Sequence, residues 1–188
     1  MENFIGIYPG AMPRHQCQGI IDFFEKNTGL HQFGKMHHQG VEILRKDIKD
    51  STDIRMNITH QCDTNNSIIE AIRIGIQQYK DKFPILNEGA LWDVSHEYNL
   101  QRYYPGQGFH HPHIEYHPSN KIMLAWMIYL NDVNDGGETR FEYYDMNIKP
   151  QEGMLVIWPA YFTHLHYGLV SSETKYIATG WHSFIDML

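Results

Sequence analysis

The second half of the chain is a series of short β-rich segments separated by turn sequences, and this pattern limits the possible folds more than any other feature. The turns read PGQG, HPSN, NDGGE, KPQEG and SSETK. Gly, Pro and Asn in such clusters end strands and start turns. The predicted strands cover residues 98–104, 122–130, 139–144, 154–158, 162–167 and 176–184. Regular short strands of this kind predict a β-sandwich or barrel, and helices earlier in the chain make the class α+β.

Two helices are predicted in the first half, at residues 12–27 and 65–83. Both have apolar residues at helical spacing, and Pro84 ends the second. The segment between them, residues 32–63, is polar and weakly periodic, so it predicts either a surface strand pair with loops or a flap over a site. The chain has 188 residues and no internal repeat, which predicts one domain. We expect a helical N-terminal part at about 1–93 and a β core at about 94–188.

Composition excludes several classes of partner. The net charge is -7 and no basic run occurs, so nucleic acid is not an expected partner. The chain shows no signal peptide and no apolar stretch long enough to cross a bilayer, so we expect a cytoplasmic protein without a membrane contact. Cys17 and Cys62 are far apart in sequence, and we expect both to stay reduced. Oligomeric state is not indicated.

The stretch GFHHPHIEYH, from Gly108 to His117, is the densest group of metal-ligand residue types. His113 and Glu115 form the only His-x-acid triplet in the chain. Residues two apart in an extended segment point to the same side, so both side chains can reach one ion. His111 has the same parity and is the alternative ligand. His110 and His117 are expected beside the site or in solvent.

The third ligand is predicted from a distant strand, where His164 and His166 are the candidates. Strand parity does not separate them. Lys175 follows His166 by nine residues, whereas Glu173 follows His164 by nine. A cation suits an anionic cosubstrate, so His166 is favoured. Two histidines and one carboxylate suit non-haem Fe(II) and leave coordination positions open for other ligands.

At this point the chain resembles a known family, the prolyl-4-hydroxylase-like group of Fe(II)/2-oxoglutarate-dependent dioxygenases. The resemblance covers roughly residues 98–184, and its motifs are specific in combination. They are Tyr104-Pro105-Gly106, His113-x-Glu115, Tyr129-Leu130-Asn131-Asp132-Val133, Gly136-Gly137-Glu138-Thr139-Arg140-Phe141, Pro159, the segment 166–170, Lys175 and Trp181. The resemblance implies a double-stranded β-helix (a jelly-roll or cupin-like core) buttressed by the N-terminal helices.

The resemblance also implies roles for individual residues. His113, Glu115 and His166 would be the catalytic iron ligands, with Glu115 in the place where the family usually has Asp. Lys175 would pair with the distal carboxylate of the cosubstrate 2-oxoglutarate. The other cosubstrate is O2, and ascorbate is a candidate additional reductant. The residues implied around 2-oxoglutarate are Tyr129, Tyr104, Thr179 and Trp181. Beyond the resemblance, Arg140 is close in sequence to the predicted rim of the site and is a candidate for contact with a substrate carboxylate, with an outward-facing position on a hairpin as the alternative. His110 is a candidate for contact with the substrate, with a position beside the site or in solvent as the alternative.

The predicted activity is that of an oxidoreductase, a hydroxylase acting on a substrate C–H bond. A prolyl residue in a peptide or protein is the first substrate expected from the resemblance. A free amino acid or another small metabolite is the alternative. Two rivals from other classes are a non-catalytic β-barrel that binds metal or ligand, and a cupin-like zinc hydrolase or isomerase. Lys175 and Tyr129, as anchors for the keto acid, argue against the first rival, and a requirement for 2-oxoglutarate would argue against the second.

Overall fold

A seven-stranded sheet and a smaller three-stranded sheet form the frame of the protein. The structure, a computed structural model, describes residues 2–38, 41–116 and 121–185. The helices are α1 (Arg14–Lys26) and α2 (Asp63–Lys82). The strands in chain order are β1 (Gly6–Tyr8), β2 (Gln32–Phe33), β3 (Met36–His38), β4 (Val41–Ile43), β5 (Lys49–Asp50), β6 (Thr52–Asn57), β7 (Trp92–Tyr103), β8 (Gly108–Phe109), β9 (Ile122–Tyr129), β10 (Thr139–Phe141), β11 (Met146–Ile148), β12 (Leu155–Pro159), β13 (His166–Gly168) and β14 (Lys175–Phe184).

The major sheet has the strand order β1-β12-β9-β14-β7-β6-β2, and the minor sheet has the order β11-β10-β13. Neighbouring strands in both sheets are antiparallel. Two further pairs, β3 with β4 and β5 with β8, lie outside these sheets. This mixed architecture is the predicted double-stranded β-helix with helical buttressing.

Side-chain alternation along β9 divides the core into two layers. Trp126 and Ile128 point to one face of the major sheet, where they pack in the same cluster as the buried residues of α1 and α2. Ala125 and Tyr129 point to the other face and pack with Phe141 of the minor sheet. Period-2 alternation in a strand produces this division. The layer that contains Ala125, Tyr129 and Phe141 closes one side of the space between the two sheets.

Both predicted helices are confirmed, with ends that shift by one to two residues. Two strand predictions are wrong in part. Residues 139–144 form a strand only as far as Phe141, because Glu142–Tyr144 is a 3-10 turn. Residues 162–167 do not form a continuous strand, because Phe162–His164 is a 3-10 turn and β13 begins only at His166. The segment 32–63 does contain a strand pair, β3 with β4, but it also supplies β6. This strand lies inside the major sheet between β2 and β7, with Ile54 and Met56 buried.

The prediction of one domain stays a prediction. Strands β1, β2 and β6 from the first 93 residues nevertheless extend the major sheet, so this part is not only helical. In the part of the chain that the structure describes, neither helix combines the length and the apolar character that a membrane crossing requires. His117, and the turn HPSN to which it belongs, lie outside the described residues.

Candidate active site

Three side chains with metal-ligand donor atoms meet between the two sheets. They are His113, Glu115 and His166, and one donor atom from each lies within 4.8 Å of the other two. The backbones of His113 and His166 form an isolated antiparallel bridge, with N–H···O distances of 2.9 and 3.0 Å. This bridge holds two segments that are far apart in sequence side by side. Glu115 follows two residues later, and its Oε1 lies 3.8 Å from Nε2 of His113 and 3.3 Å from Nε2 of His166.

Backbone carbonyl groups orient both imidazoles. Nδ1 of His113 lies 2.9 Å from the carbonyl oxygen of His111, and Nδ1 of His166 lies 2.8 Å from that of His164. A carbonyl oxygen only accepts hydrogen bonds, so Nδ1 is the protonated nitrogen in both neutral rings. The lone pair of each ring is therefore on Nε2, which faces Glu115. A hydrogen bond of this kind at the second ring nitrogen is typical of histidine metal ligands.

The protonation states also fit a metal site. Burial and the neighbouring His166 lower the pKa of His113 to about 3, so its ring is neutral at neutral pH. Burial alone would raise the pKa of Glu115, but the adjacent imidazoles of His166 and His113 and the hydrogen bond from Trp181 lower it. Nε1 of Trp181 donates to Oε2 of Glu115 at 2.7 Å. The carboxylate is therefore ionised and one of its oxygens has a fixed partner.

Two neighbours complete the surroundings of these three side chains. The ring of Phe109 stacks on the imidazole of His113, with centroids 3.8 Å apart and planes inclined by 13°. Trp158 contacts His166 edge-on, with centroids 5.1 Å apart. These aromatic contacts restrict ring rotation, so the two nitrogens keep their direction. Nitrogen and carboxylate donors in this arrangement fit Fe(II).

The three side chains open into a cavity of about 1320 Å³. Lys175 lies in its wall, 5% exposed, and its ammonium donates to the carbonyl oxygen of Gly137 at 2.8 Å. Among the described residues, no carboxylate forms an ion pair with it. Burial lowers the pKa of Lys175 to about 8, partly offset by the charge of Glu138. A buried cation without a counter-ion is a site for an anionic group.

The other residues predicted around 2-oxoglutarate divide into two groups. Thr179 and Trp181 line the cavity together with Lys175, as their shared parity on β14 predicts. Tyr129 is fully buried behind Thr139, and the two hydroxyl oxygens are 2.6 Å apart. Thr139 lines the cavity, whereas Tyr129 does not. Tyr129 therefore contacts the cavity wall through Thr139.

Tyr104 lies outside the cavity. Its side chain is 45% exposed, and its ring packs against the guanidinium of Arg102 at 4.2 Å. Its neighbour Tyr103 is buried and lines the cavity, with Nζ of Lys175 5.1 Å from the centre of its ring. Strand alternation explains the difference, because Tyr103 and Gln101 face inward on β7 and Tyr104 follows the end of that strand. The resemblance implied Tyr104, whereas the tyrosine in the cavity wall is the preceding residue, Tyr103.

Neither residue predicted to face the substrate lines the cavity. Arg140 forms ion pairs with Glu142 and Asp145, and its strand neighbours Thr139 and Phe141 face inward instead. The guanidinium is thus already paired. His110 is also absent from the cavity wall among the described residues, and its backbone N–H donates to the carbonyl oxygen of Ile48.

The rival ligands have other functions in the fold. His111 contributes its backbone carbonyl to His113. His164 is buried, with Nε2 2.8 Å from the carbonyl oxygen of Asn3 and Nδ1 2.9 Å from the hydroxyl of Thr163. Both ring nitrogens of His164 are thus occupied. The 3-10 turn at Phe162–His164 also breaks the strand alternation that would have made His164 and His166 equivalent.

Comparisons with known proteins agree with this geometry. A profile of the 2OG-Fe(II) oxygenase superfamily matches residues 98–183. The β core of this chain belongs to this superfamily. The protein is a 2-oxoglutarate-dependent dioxygenase, and membership implies Fe(II), 2-oxoglutarate and O2 as cofactor and cosubstrates. No curated protein sequence matches the chain.

Solved structures share the fold across nearly the whole chain. A Pseudomonas putida prolyl-4-hydroxylase superposes with a TM-score of 0.73 at 16% identity, covering 97% of this chain and 93% of that one. A Trichoplax adhaerens prolyl hydroxylase in complex with a hypoxia inducible factor peptide fragment has a TM-score of 0.71 at 15% identity, with 96% and 84% covered. The viral collagen prolyl hydroxylase of Paramecium Bursaria Chlorella virus-1, in its 2OG complex, has a TM-score of 0.64 at 18% identity, with 97% of both chains covered. At these identities the likeness concerns the fold.

Proposed function

We propose that this dioxygenase hydroxylates a prolyl residue in a peptide or protein. The observation that carries the proposal is the placement of three metal-ligand side chains on an open cavity that also contains a buried, unpaired lysine. Fe(II) would be held by Nε2 of His113, Nε2 of His166 and a carboxylate oxygen of Glu115. When bound, the iron would supply the activation of O2 that is coupled to oxidative decarboxylation of 2-oxoglutarate.

The protein's own residues prepare the metal end of the cavity. The neutral His113 ring and the ionised Glu115 need no deprotonation before they bind a cation at neutral pH. Trp181 occupies Oε2 of Glu115, which leaves Oε1 directed toward both histidines. This bond also supports Glu115 in the place of the usual Asp, because it restrains the longer side chain.

The lysine end of the cavity would hold 2-oxoglutarate. We propose that Lys175 binds the distal carboxylate through a charge-assisted hydrogen bond, which is stronger than a neutral one. Thr139 and Thr179 line the same cavity and provide hydroxyl groups. Tyr129 would act indirectly by holding Thr139, and Tyr103 takes the place proposed for Tyr104.

A peptide substrate is supported by the extent of the cavity. Small-molecule sites usually enclose about 300–1000 Å³, whereas this cavity has about 1320 Å³. It continues from the metal end along β6 and β7, where Arg55, Asn57, Glu97 and Asn99 line it. Backbone groups of an extended chain can bond to such polar side chains. The prolyl hydroxylases of similar fold include one in complex with a peptide.

The experiment is 2-oxoglutarate turnover to succinate with Fe(II) and ascorbate, in air and anaerobically. We expect slow, oxygen-dependent succinate formation without substrate, and none with His166→Ala. Proline-containing peptides should then accelerate turnover and gain one oxygen atom, as detected by mass spectrometry. Acceleration by a free amino acid and by no peptide would support the small-metabolite alternative instead. Binding of metal and 2-oxoglutarate without any succinate under all of these conditions would contradict the proposal.

A further inference from the structure

A buried ion pair forms part of the cavity wall and is not needed for metal or cosubstrate binding as described so far. Nζ of Lys49 lies 2.9 Å from Oδ2 of Asp53, and the two residues are 5% and 8% exposed. Both line the cavity. Buried ion pairs contribute little to stability, since apolar residues of similar volume often replace them without loss. Their presence in the wall of a cavity therefore suggests a role in the site.

Asp53 accepts hydrogen bonds from three side chains. Its Oδ2 accepts from Nζ of Lys49 and from Nε2 of Gln101, both at 2.9 Å, and its Oδ1 accepts from the hydroxyl of Ser51 at 2.7 Å. A carboxylate only accepts hydrogen bonds, so the amide of Gln101 must turn its NH2 group toward Asp53. Oε1 of Gln101 then faces Tyr103. The charge on Asp53 thus determines the orientation of a neutral side chain on the neighbouring strand.

The orientation of the Gln101 amide in turn determines the hydrogen bond of the Tyr103 hydroxyl. Because Oε1 of Gln101 can only accept, the hydroxyl of Tyr103 donates to it, at 2.9 Å. The hydroxyl hydrogen of Tyr103 therefore points toward Gln101. The face of the Tyr103 ring lies against the ammonium, with Nζ 5.1 Å from the ring centre. An ammonium over a phenol ring is stabilised by a cation–π interaction.

Strand register places these groups in one line across the major sheet. Asp53 on β6 pairs with Gln101 on β7, and Tyr103 on β7 pairs with Lys175 on β14. Gln101 and Tyr103 are two residues apart on the same face of β7. The line runs from a part of the chain outside the family match to the lysine of the proposed cosubstrate site.

We propose that Asp53 and Gln101 are positioning residues for 2-oxoglutarate, acting through Tyr103 on Lys175. Asp53 orients Gln101, Gln101 anchors the hydroxyl of Tyr103, and the anchored ring holds the ammonium of Lys175 where the distal carboxylate binds. The inference rests on the proposed function, because it requires 2-oxoglutarate at Lys175. It predicts weaker cosubstrate binding, without loss of metal binding, when any contact in the line is removed.

The test measures 2-oxoglutarate binding calorimetrically on anaerobic protein loaded with Mn(II). Gln101→Leu and Tyr103→Phe should each raise the dissociation constant about fivefold, the usual effect of one lost hydrogen bond. The double variant should be no weaker than either single variant, since both changes remove the same contact. Mn(II) affinity should stay unchanged. In uncoupled turnover, KM for 2-oxoglutarate should rise while kcat stays near the wild-type value.

Two further variants support the interpretation. Asp53→Asn keeps the shape of the side chain but lets the Gln101 amide turn over, so it should also weaken 2-oxoglutarate binding. If Asp53→Asn does not fold, the Gln101 and Tyr103 variants still decide the question. Gln107→Leu is the matched control, because Gln107 accepts a hydrogen bond from the backbone of Tyr104 at an exposed turn. It should bind 2-oxoglutarate as the wild type does.

Three results would overturn the inference. They are unchanged binding in folded Gln101→Leu and Tyr103→Phe, additive effects in the double variant, and tighter binding in Gln101→Leu. The last result would mean that a freed Tyr103 hydroxyl donates to the ligand. Failure of the proposed function looks different, since the wild-type protein itself would then not bind 2-oxoglutarate.

Discussion

Replacing Lys175 by methionine should stabilise the protein in the absence of 2-oxoglutarate while removing cosubstrate binding. Methionine has a similar length but no charge. Burial lowers the pKa of Lys175 from 10.5 to about 8, which means that the fold disfavours its ammonium by about 3 kcal/mol at neutral pH. The lost hydrogen bond to Gly137 offsets about 1 kcal/mol of this. The expected gain is about 2 kcal/mol, or about 4–8 °C in Tm for a chain of this size.

The lowered pKa of Lys175 also predicts how the stability difference between the two proteins changes with pH. Between pH 8 and 10.5, unfolded Lys175 holds a proton that the folded protein has lost, so wild-type stability rises with pH in this window. The methionine variant lacks this titration. Its advantage over the wild type should therefore be largest below pH 8 and should shrink toward pH 10.5. The difference between the two proteins isolates Lys175, because every other group titrates in both.

The assay is urea denaturation of metal-free protein without 2-oxoglutarate at pH 7 and at pH 9.5. A second series contains Mn(II) throughout and compares stability with and without 2-oxoglutarate, which should stabilise the wild type by mass action and leave Lys175→Met unchanged. Lys149→Met is the control, since Lys149 is exposed and should show neither effect. A variant that is less stable than the wild type by the same amount at both pH values would refute the argument that Lys175 is a buried, uncompensated cation.

Three further predictions concern the metal end. Trp181→Phe removes the donor to Glu115, and Mn(II) affinity measured by calorimetry should fall about tenfold, as is typical when the orienting partner of a metal ligand is lost. His164→Ala should lower Tm but keep Mn(II) binding, whereas His166→Ala should abolish binding; the opposite pattern would show that the ligand is His164. Tyr104→Phe should leave the KM for 2-oxoglutarate at the wild-type value in succinate assays, and a severalfold rise would return Tyr104 to the cosubstrate site.

The sequence predicted the β core better than the first half of the chain, for a physical reason. The strands β9, β12 and β14 are rich in apolar residues and bounded by turns, so their local pattern matches their final environment. The strand β6 reads TDIRMN and lies in a polar segment. Its place in the major sheet depends on pairing with β7, which a local pattern does not contain.

Lys175 and Tyr103 show what side-chain alternation along a strand can predict about the cavity. Parity on β14 predicts correctly that Lys175, Thr179 and Trp181 share a face. The same argument applied to β7 would have selected Tyr103, because it is two residues from Gln101. The resemblance in Tyr104-Pro105-Gly106 instead implied Tyr104, which lies just beyond the strand. Position in the strand therefore decided which tyrosine enters the cavity.

The orientation of the site comes largely from backbone carbonyl groups, which no residue type encodes. The carbonyl oxygens of His111, His164 and Gly137 receive hydrogen bonds from His113, His166 and Lys175 respectively. In each case the side chain supplies the chemistry and the course of a neighbouring segment supplies its direction. Any residue could provide such a carbonyl, so the identity of His111 and His164 carries no information about that function. His111 shares strand parity with His113, and its residue type did not show that only its carbonyl group is used, so the sequence left it open as a rival. Substituting the side chain of His111 should therefore preserve metal binding, because its backbone contribution would remain.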